Sequence, residues 1–176
     1  SYPVTSSPHN HSISTTGIIS QPPQLFVNFG MSFLSGSSLI VTDPQHGASI
    51  MSISSSTHQL TETHSISVPG EGAICWTAVN PSLNEVYLMD ADHPNITAVD
   101  SKSGAIKRIL VQDPITQGSL DAKLAGGRDG TAYLYTLKTM GMVTVTDTKS
   151  GVVKQILDIN AFGSGMTLMG MAIWEE

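Results

Sequence analysis

Asp100-Ser101-Lys102-Ser103-Gly104-Ala105-Ile106-Lys107-Arg108-Ile109-Leu110 and Asp147-Thr148-Lys149-Ser150-Gly151-Val152-Val153-Lys154-Gln155-Ile156-Leu157 are two versions of one segment, 47 residues apart. Asp, Lys, Ser, Gly, Lys, Ile and Leu recur at matched positions. Each copy reads as a polar turn closed by a glycine, which tolerates positive φ, followed by a short apolar strand. The spacing extends upstream. Leu39-Ile40-Val41 precedes Val86-Tyr87-Leu88 by 47 residues, and Ala132-Tyr133-Leu134 follows at 46. A period of 46 or 47 residues falls in the range of four-stranded propeller blades, about 40–50 residues.

Each unit divides into four runs. The first holds 26–34, 38–42, 48–53 and 60–68. The second holds 74–79, 86–89, 96–99 and 106–111. The third holds 122–125, 131–137, 142–146 and 152–159. The runs are short, β-branched and bounded by Gly, Pro, Asn or Asp, which argues for strands over helices. Arg128-Asp129-Gly130 supplies a hairpin signal. The fold predicted is all-β: a partial β-propeller of three four-stranded blades, at about 24–68, 72–112 and 119–160, plus the inner strand of a fourth at 166–174. That last strand is predicted because Met169-Gly170-Met171-Ala172-Ile173-Trp174 resembles Phe29-Gly30-Met31-Ser32-Phe33-Leu34. Residues 1–23 lack periodicity and read as an extended Ser/Thr/Pro-rich arm, with 17–20 adding an edge strand.

Three blades do not close a ring, and an open arc leaves apolar faces exposed. Large exposed apolar patches mark interaction sites. The expected cover is a second copy, a larger chain, or the remainder of a cleaved precursor. Met166, Met169, Met171 and Trp174 are the candidate interface residues.

Composition narrows the class. The chain has 176 residues, 40% hydrophobic and 12% charged, with formal net charge −6 and eight Lys and Arg. No basic stripe exists to displace phosphate counterions, which argues against nucleic-acid binding. No apolar run approaches the ~20 residues needed to span a bilayer. The start at Ser1, the low charge and two sequons, Asn10-His11-Ser12 and Asn95-Ile96-Thr97, predict a secreted, extracellular chain with N-glycans at Asn10 and Asn95. The proline in Asn80-Pro81-Ser82 excludes a third. The lone Cys75 reads as a small buried apolar residue; the alternative is a disulfide to another chain.

The stretch Cys75-Trp76-Thr77-Ala78-Val79-Asn80-Pro81-Ser82-Leu83-Asn84-Glu85-Val86-Tyr87-Leu88, with Asn95-Ile96-Thr97-Ala98-Val99-Asp100 and the turn 101–104, resembles fungal secreted seven-bladed propellers of the lactonase-like or 3-carboxymuconate cyclase-like kind. The resemblance covers 26–176 and matches their C-terminal half. It implies a propeller fold but carries over no catalytic residue. Size and secreted character are similar to those of the small subunit of heterodimeric fungal laccases.

No catalytic, cofactor or metal residues are assigned. His9 and His11 read as part of a solvated arm. Asp90-Ala91-Asp92-His93-Pro94-Asn95 is an oxygen-rich loop in which calcium is conceivable, but it lacks EF-hand spacing. Asp43, His46, Asp90 and Arg128 lie near strand ends, where a carboxylate beside a histidine could move protons. Met140 and Met142 read as blade packing. Gly126-Gly127-Arg128-Asp129-Gly130 is a turn with no following helix, and there is no nucleophile elbow. Trp76 and Trp174 fall in expected core strands, which ranks an aromatic sugar platform low. The functional expectation is a non-catalytic accessory or interaction subunit of a larger secreted enzyme, stabilising it through exposed blade faces. The alternative is a lactonase- or cyclase-like propeller enzyme completed by a second chain or by homodimerisation.

Overall fold

The structure, a computed structural model, describes residues 2–126, 131–163 and 168–174. The chain is all-β. The strands are β1 (Val4–Ser7), β2 (Asn10–Ile13), β3 (Met31–Ser35), β4 (Ser38–Asp43), β5 (Gly47–Ile53), β6 (Leu60–Ser67), β7 (Ile74–Asn80), β8 (Glu85–Asp90), β9 (Ile96–Asp100), β10 (Ile106–Leu110), β11 (Ser119–Gly126), β12 (Ala132–Lys138), β13 (Met142–Asp147) and β14 (Val153–Asp158). They form a two-stranded hairpin, β1–β2, and three blade-like antiparallel sheets ordered β3-β4-β5-β6, β7-β8-β9-β10 and β11-β12-β13-β14. Each sheet follows chain order because every strand is joined to the next by a short hairpin.

Side chains that alternate along a strand point to opposite faces. In β8 this alternation feeds two cores. Val86 and Leu88 join Ile40, Ile50 and Ile66 of the first sheet. Tyr87 and Met89 join Ala122 and Leu134 of the third. Every residue of β8 is buried. The main sheet-to-sheet contacts run from β3 and β4 to β7, and from β7 and β8 to β11. Burying a Leu or Met side chain here stabilises by about 1.5–3 kcal/mol each.

Three further points differ from the sequence reading. Within the extended arm read at 1–23, β1 and β2 form an exposed hairpin that pairs Val4 with Ile13. Residues 17–20 form no strand. Instead the Ser20 hydroxyl accepts from the Leu60 N–H at 2.8 Å, and Leu25 packs on Leu39, Val41 and Met51. The chain thereby covers part of the outer face of its own first sheet, while Met31 and Phe33 stay exposed. Residues 168–174 form no strand either. They run past the start of β11, where the Met171 N–H donates to Asp121 Oδ2 at 2.8 Å. The Arg128-Asp129-Gly130 turn lies outside the described residues.

The repeated turn has one construction. Asp100 Oδ1 accepts from the N–H groups of Lys102 and Ser103, at 3.0 and 2.8 Å. Asp147 Oδ1 accepts from Lys149 and Ser150, at 2.8 and 3.0 Å. Gly104 and Gly151 close the turns at φ +70° and +75°. The first sheet carries a third version. Ser54 Oγ accepts from the Thr57 N–H at 3.1 Å, and His58 stands at φ 56° where the other turns have glycine.

The second and third sheets are also riveted by a buried polar network. Arg108 Nη2 donates to Glu85 Oε2 at 2.7 Å and to the Thr148 carbonyl, while Nη1 reaches the Lys149 carbonyl at 3.0 Å. The Tyr87 hydroxyl donates to Glu85 Oε2 at 2.9 Å, and Asn80 Nδ2 bridges Tyr87 and Thr148. Burial pulls the Glu85 carboxyl upward, but the hydrogen bonds from Arg108 and Tyr87 outweigh it and hold it below the usual range. Burial pushes the Tyr87 phenol up to about 12.

Two sets of variants test these features by thermal or chemical denaturation. A Cβ at Gly151 meets only Leu110 Cγ at 3.6 Å, whereas one at Gly104 meets buried Ile66 at 2.9 Å. Gly151→Ala therefore costs about 1 kcal/mol for the left-handed backbone, and Gly104→Ala about 1 kcal/mol more. Equal losses contradict the packing difference. Arg108→Ala leaves Glu85 without its main partner and costs about 2–3 kcal/mol at neutral pH. The difference shrinks in acid as Glu85 is protonated in both proteins.

Candidate functional site

The loops that follow β4, β8 and β12, together with the segments entering β7 and β11, share one end of the sheets. At this end β4 and β8 terminate in buried aspartates. Asp43 Oδ2 accepts from the N–H groups of Phe26 and Val27, at 2.5 and 2.8 Å, and Oδ1 accepts from Gln45 at 2.8 Å. Asp90 Oδ2 accepts from Gly72 at 2.7 Å, and Oδ1 accepts from Ala73, Asp92 and His93 at 2.9, 2.8 and 3.1 Å. These carboxylates are spent on backbone donors, each fastening the segment that leads into an inner strand. Burial raises the Asp90 carboxyl, but its backbone hydrogen bonds outweigh burial and keep it low. In β12 the matching last residue is Lys138, fully buried. Its Nζ donates to the Pro94 carbonyl at 3.1 Å and Ser119 Oγ at 2.9 Å, and burial brings it down to about 8.

Between the 68–71 segment and the second sheet this end opens into a cavity of about 240 Å³, lined by Glu71, Asp90, His93, Asn95 and Thr97 over an apolar floor that includes Ile74. Glu71 is the chemically distinctive group. Its Oε2 is shielded from solvent and has no hydrogen-bond partner. Burial, then the negative charges of Asp90 and Asp43, raise its carboxyl to about 7. His93 Nδ1 lies 3.3 Å from Asp90 Oδ2 and its ring is half exposed. A carboxyl poised near neutrality beside an imidazole can hold or release a proton. Among the described residues, no three His, Cys, Asp or Glu side chains are placed to hold a metal ion.

Of the residues singled out in the sequence, Asp90 and His93 come together at this cavity. Asp43 and His46 do not form a pair: His46 Nε2 contacts Ser65 Oγ at 2.5 Å on the surface. Arg128 lies outside the described residues. His11 Nδ1 contacts Ser6 Oγ at 2.9 Å within the exposed hairpin, where His9 occupies the turn. Asn10 and Asn95 are both exposed. Cys75 is a free, buried thiol in β7, raised by burial and by the nearby Asp90 and Asp92; a bond to another chain would require that strand to open. Met169 and Trp174 are exposed, Trp174 at 88%, and Met171 is half buried. Met166 lies outside the described residues. Met140 is exposed and Met142 half buried, so neither belongs to the packed core.

The third sheet presents a second feature. Leu134 faces the second sheet, so Tyr133, Tyr135 and Val145 point the other way. Tyr133, Tyr135, Val145, Lys154 and Gln155 line a broad open depression of about 500 Å³. Sequence reading missed Glu71, Lys138 and the two tyrosines. The Asp43–Asp90 spacing of 47 residues was the one available signal for this end of the sheets.

No protein-family model and no curated protein matches the sequence. Among the described residues no helix is long and apolar enough to cross a membrane.

Glu71 sets a pH dependence whose sign follows from its raised carboxyl. The folded state holds the proton more tightly than the unfolded one, so this contribution is complete below about pH 4.5 and is lost as pH rises through about 7. Glu71→Gln is expected to be more stable than the parent above pH 7 by about 1 kcal/mol, allowing for solvent screening of a half-buried group. The two proteins should converge in acid. Parallel stability curves from pH 4 to 8 would refute the assignment.

Proposed function

We propose that the chain is a non-catalytic interaction subunit of a larger secreted protein, and that its three sheets are consecutive blades of a partial propeller. The observation that carries this reading is apolar surface left open on both flanking sheets. On the outer face of the first sheet Leu25 packs on Leu39, Val41 and Met51, but Met31 and Phe33 are 64% and 65% exposed. The outer face of the third carries half-buried Tyr133 and Tyr135 around an open depression, beside a buried Val145. Aromatic side chains beside aliphatic ones, with Lys154 at the rim, have the make-up of a protein interface.

The occupant is an antiparallel sheet of another, larger chain. Two features favour it. Sheet already stacks on sheet twice within the chain, each time through the first strands of the following sheet. Residues 168–174 run beside the start of β11, fixed by Met171 on Asp121, where the first strand of a following sheet would lie. The exposed Met169 and Trp174 extend that surface. The exposed sequons at Asn10 and Asn95 are compatible with glycosylation in the secretory pathway. The likeness to fungal secreted propellers and to laccase small subunits supports the same reading at the level of class.

Native mass spectrometry of protein from its natural source tests it. The expected species is one copy of this chain with one larger polypeptide, and glycan mass on this chain. Tyr135→Asp places a charge in the interface while leaving the inner face untouched, so the variant should fold but bind its partner at least tenfold more weakly. A stable monomer in native material, or a dimer of identical chains, overturns the proposal.

A further inference from the structure

Asn95 stands at the rim of the cavity beside Glu71 and opens the sequon Asn95-Ile96-Thr97. Strand alternation fixes the face on which it lies. Ile96 is packed towards the third sheet, so Asn95 and Thr97 face the other way. Thr97 pairs with Leu88 of β8 and with Ile109 of β10, and Leu88 belongs to the core shared with the first sheet. Asn95, Thr97 and Ile109 thus share one face of the second sheet. Ile109 lies outside that core and is 48% exposed.

The loop that presents Asn95 is held at both ends. Asp90 Oδ1 accepts from the N–H groups of Asp92 and His93, and Lys138 Nζ donates to the Pro94 carbonyl at 3.1 Å. Asn95 itself is exposed. A group attached to its carboxamide therefore starts from a fixed point on the cavity rim. The walls in its reach are apolar at Pro69, Pro94 and Ile109 and polar at His93 and Thr97. The first unit of an N-glycan is N-acetylglucosamine, an uncharged ring with apolar C–H faces, a methyl group and several hydroxyls. It suits such walls and needs no counter-ion among the carboxyls. About 240 Å³ has room for one such ring, whereas the branched outer chain stays in solvent. Asn10 offers a contrast. Its hairpin joins no other sheet and its neighbours are exposed, so a sugar there has nothing to pack on.

We propose that the N-glycan at Asn95 is a structural element, whose first sugar unit folds back over the cavity, packs on Ile109 and Pro69 and closes this end of the second sheet. The stabilisation comes from apolar surface of Ile109 removed from water. The contact needs no access to the shielded Glu71 Oε2. The proposal rests on the secretory reading above.

Thermal unfolding of the full chain secreted from a eukaryotic host tests it. Peptide mapping should find Asn95 glycosylated. Trimming the glycans to their first N-acetylglucosamine should leave Tm unchanged. Asn95→Gln should lower Tm by about 2–4 °C, and Asn10→Gln should not move it. Ile109→Ser removes the platform at a half-exposed position, so in that background Asn95→Gln should cause no further loss. Four results overturn the proposal: an unmodified Asn95 in the secreted protein, a fall in Tm on trimming to the single sugar, equal losses for Asn10→Gln and Asn95→Gln, or an undiminished Asn95→Gln shift in Ile109→Ser. The secretory reading fails on a different result, native material with no glycan at Asn10 or Asn95. A glycosylated Asn95 that leaves stability unmoved overturns only the structural role of the sugar.

Discussion

The burial of the second sheet on both faces is the constraint on which the rest of the structure depends. Val86 and Leu88 complete one core with the first sheet, and Tyr87 and Met89 complete another with the third. Because side chains on a strand alternate strictly, neither core can shift register without moving the other's residues out of place. The polar groups at the sheet ends reinforce that register. Glu85, Tyr87 and Arg108 tie the second sheet to the turn at Thr148, while Asp90 holds the segment that enters β7.

A sheet buried on both sides implies flanking sheets with one face each left to settle. On the first sheet, Leu39, Val41 and Met51 are met by Leu25, and Ser20 fastens the same segment to β6. Each flank is therefore partly sealed: Met31 and Phe33 stay exposed on the first sheet, while on the third Val145 is buried and Tyr133 and Tyr135 are half buried.

The distribution of polar groups separates support from function. Asp43 and Asp90 looked equally suited to chemistry when read as strand-end carboxylates, yet each is saturated by backbone N–H donors. A carboxylate with its lone pairs so engaged is a fastener. Glu71 and Thr77 differ because each keeps a shielded oxygen without a partner. Such groups cost stability when unmet.

The repeat, the strand boundaries and the turn chemistry were legible in the sequence because they are local. Asp100 to Gly104 and Asp147 to Gly151 state their turns residue by residue, since a side-chain oxygen two positions from its donor and a glycine at positive φ leave little choice. The first unit hid the same turn behind Ser54 and His58, which do the work of Asp and Gly with different side chains. What only tertiary structure decided was which surfaces remain open. Leu25 lies just before the first predicted strand run, Trp76 reads as core from its apolar neighbours, and 168–174 reads as a strand from its resemblance to 29–34. Their roles depend on groups far away in the chain: Met51 for Leu25, Phe29 for Trp76, Asp121 for Met171. Local sequence specifies backbone torsions, whereas exposure is a property of whatever distant segment happens to pack across a face.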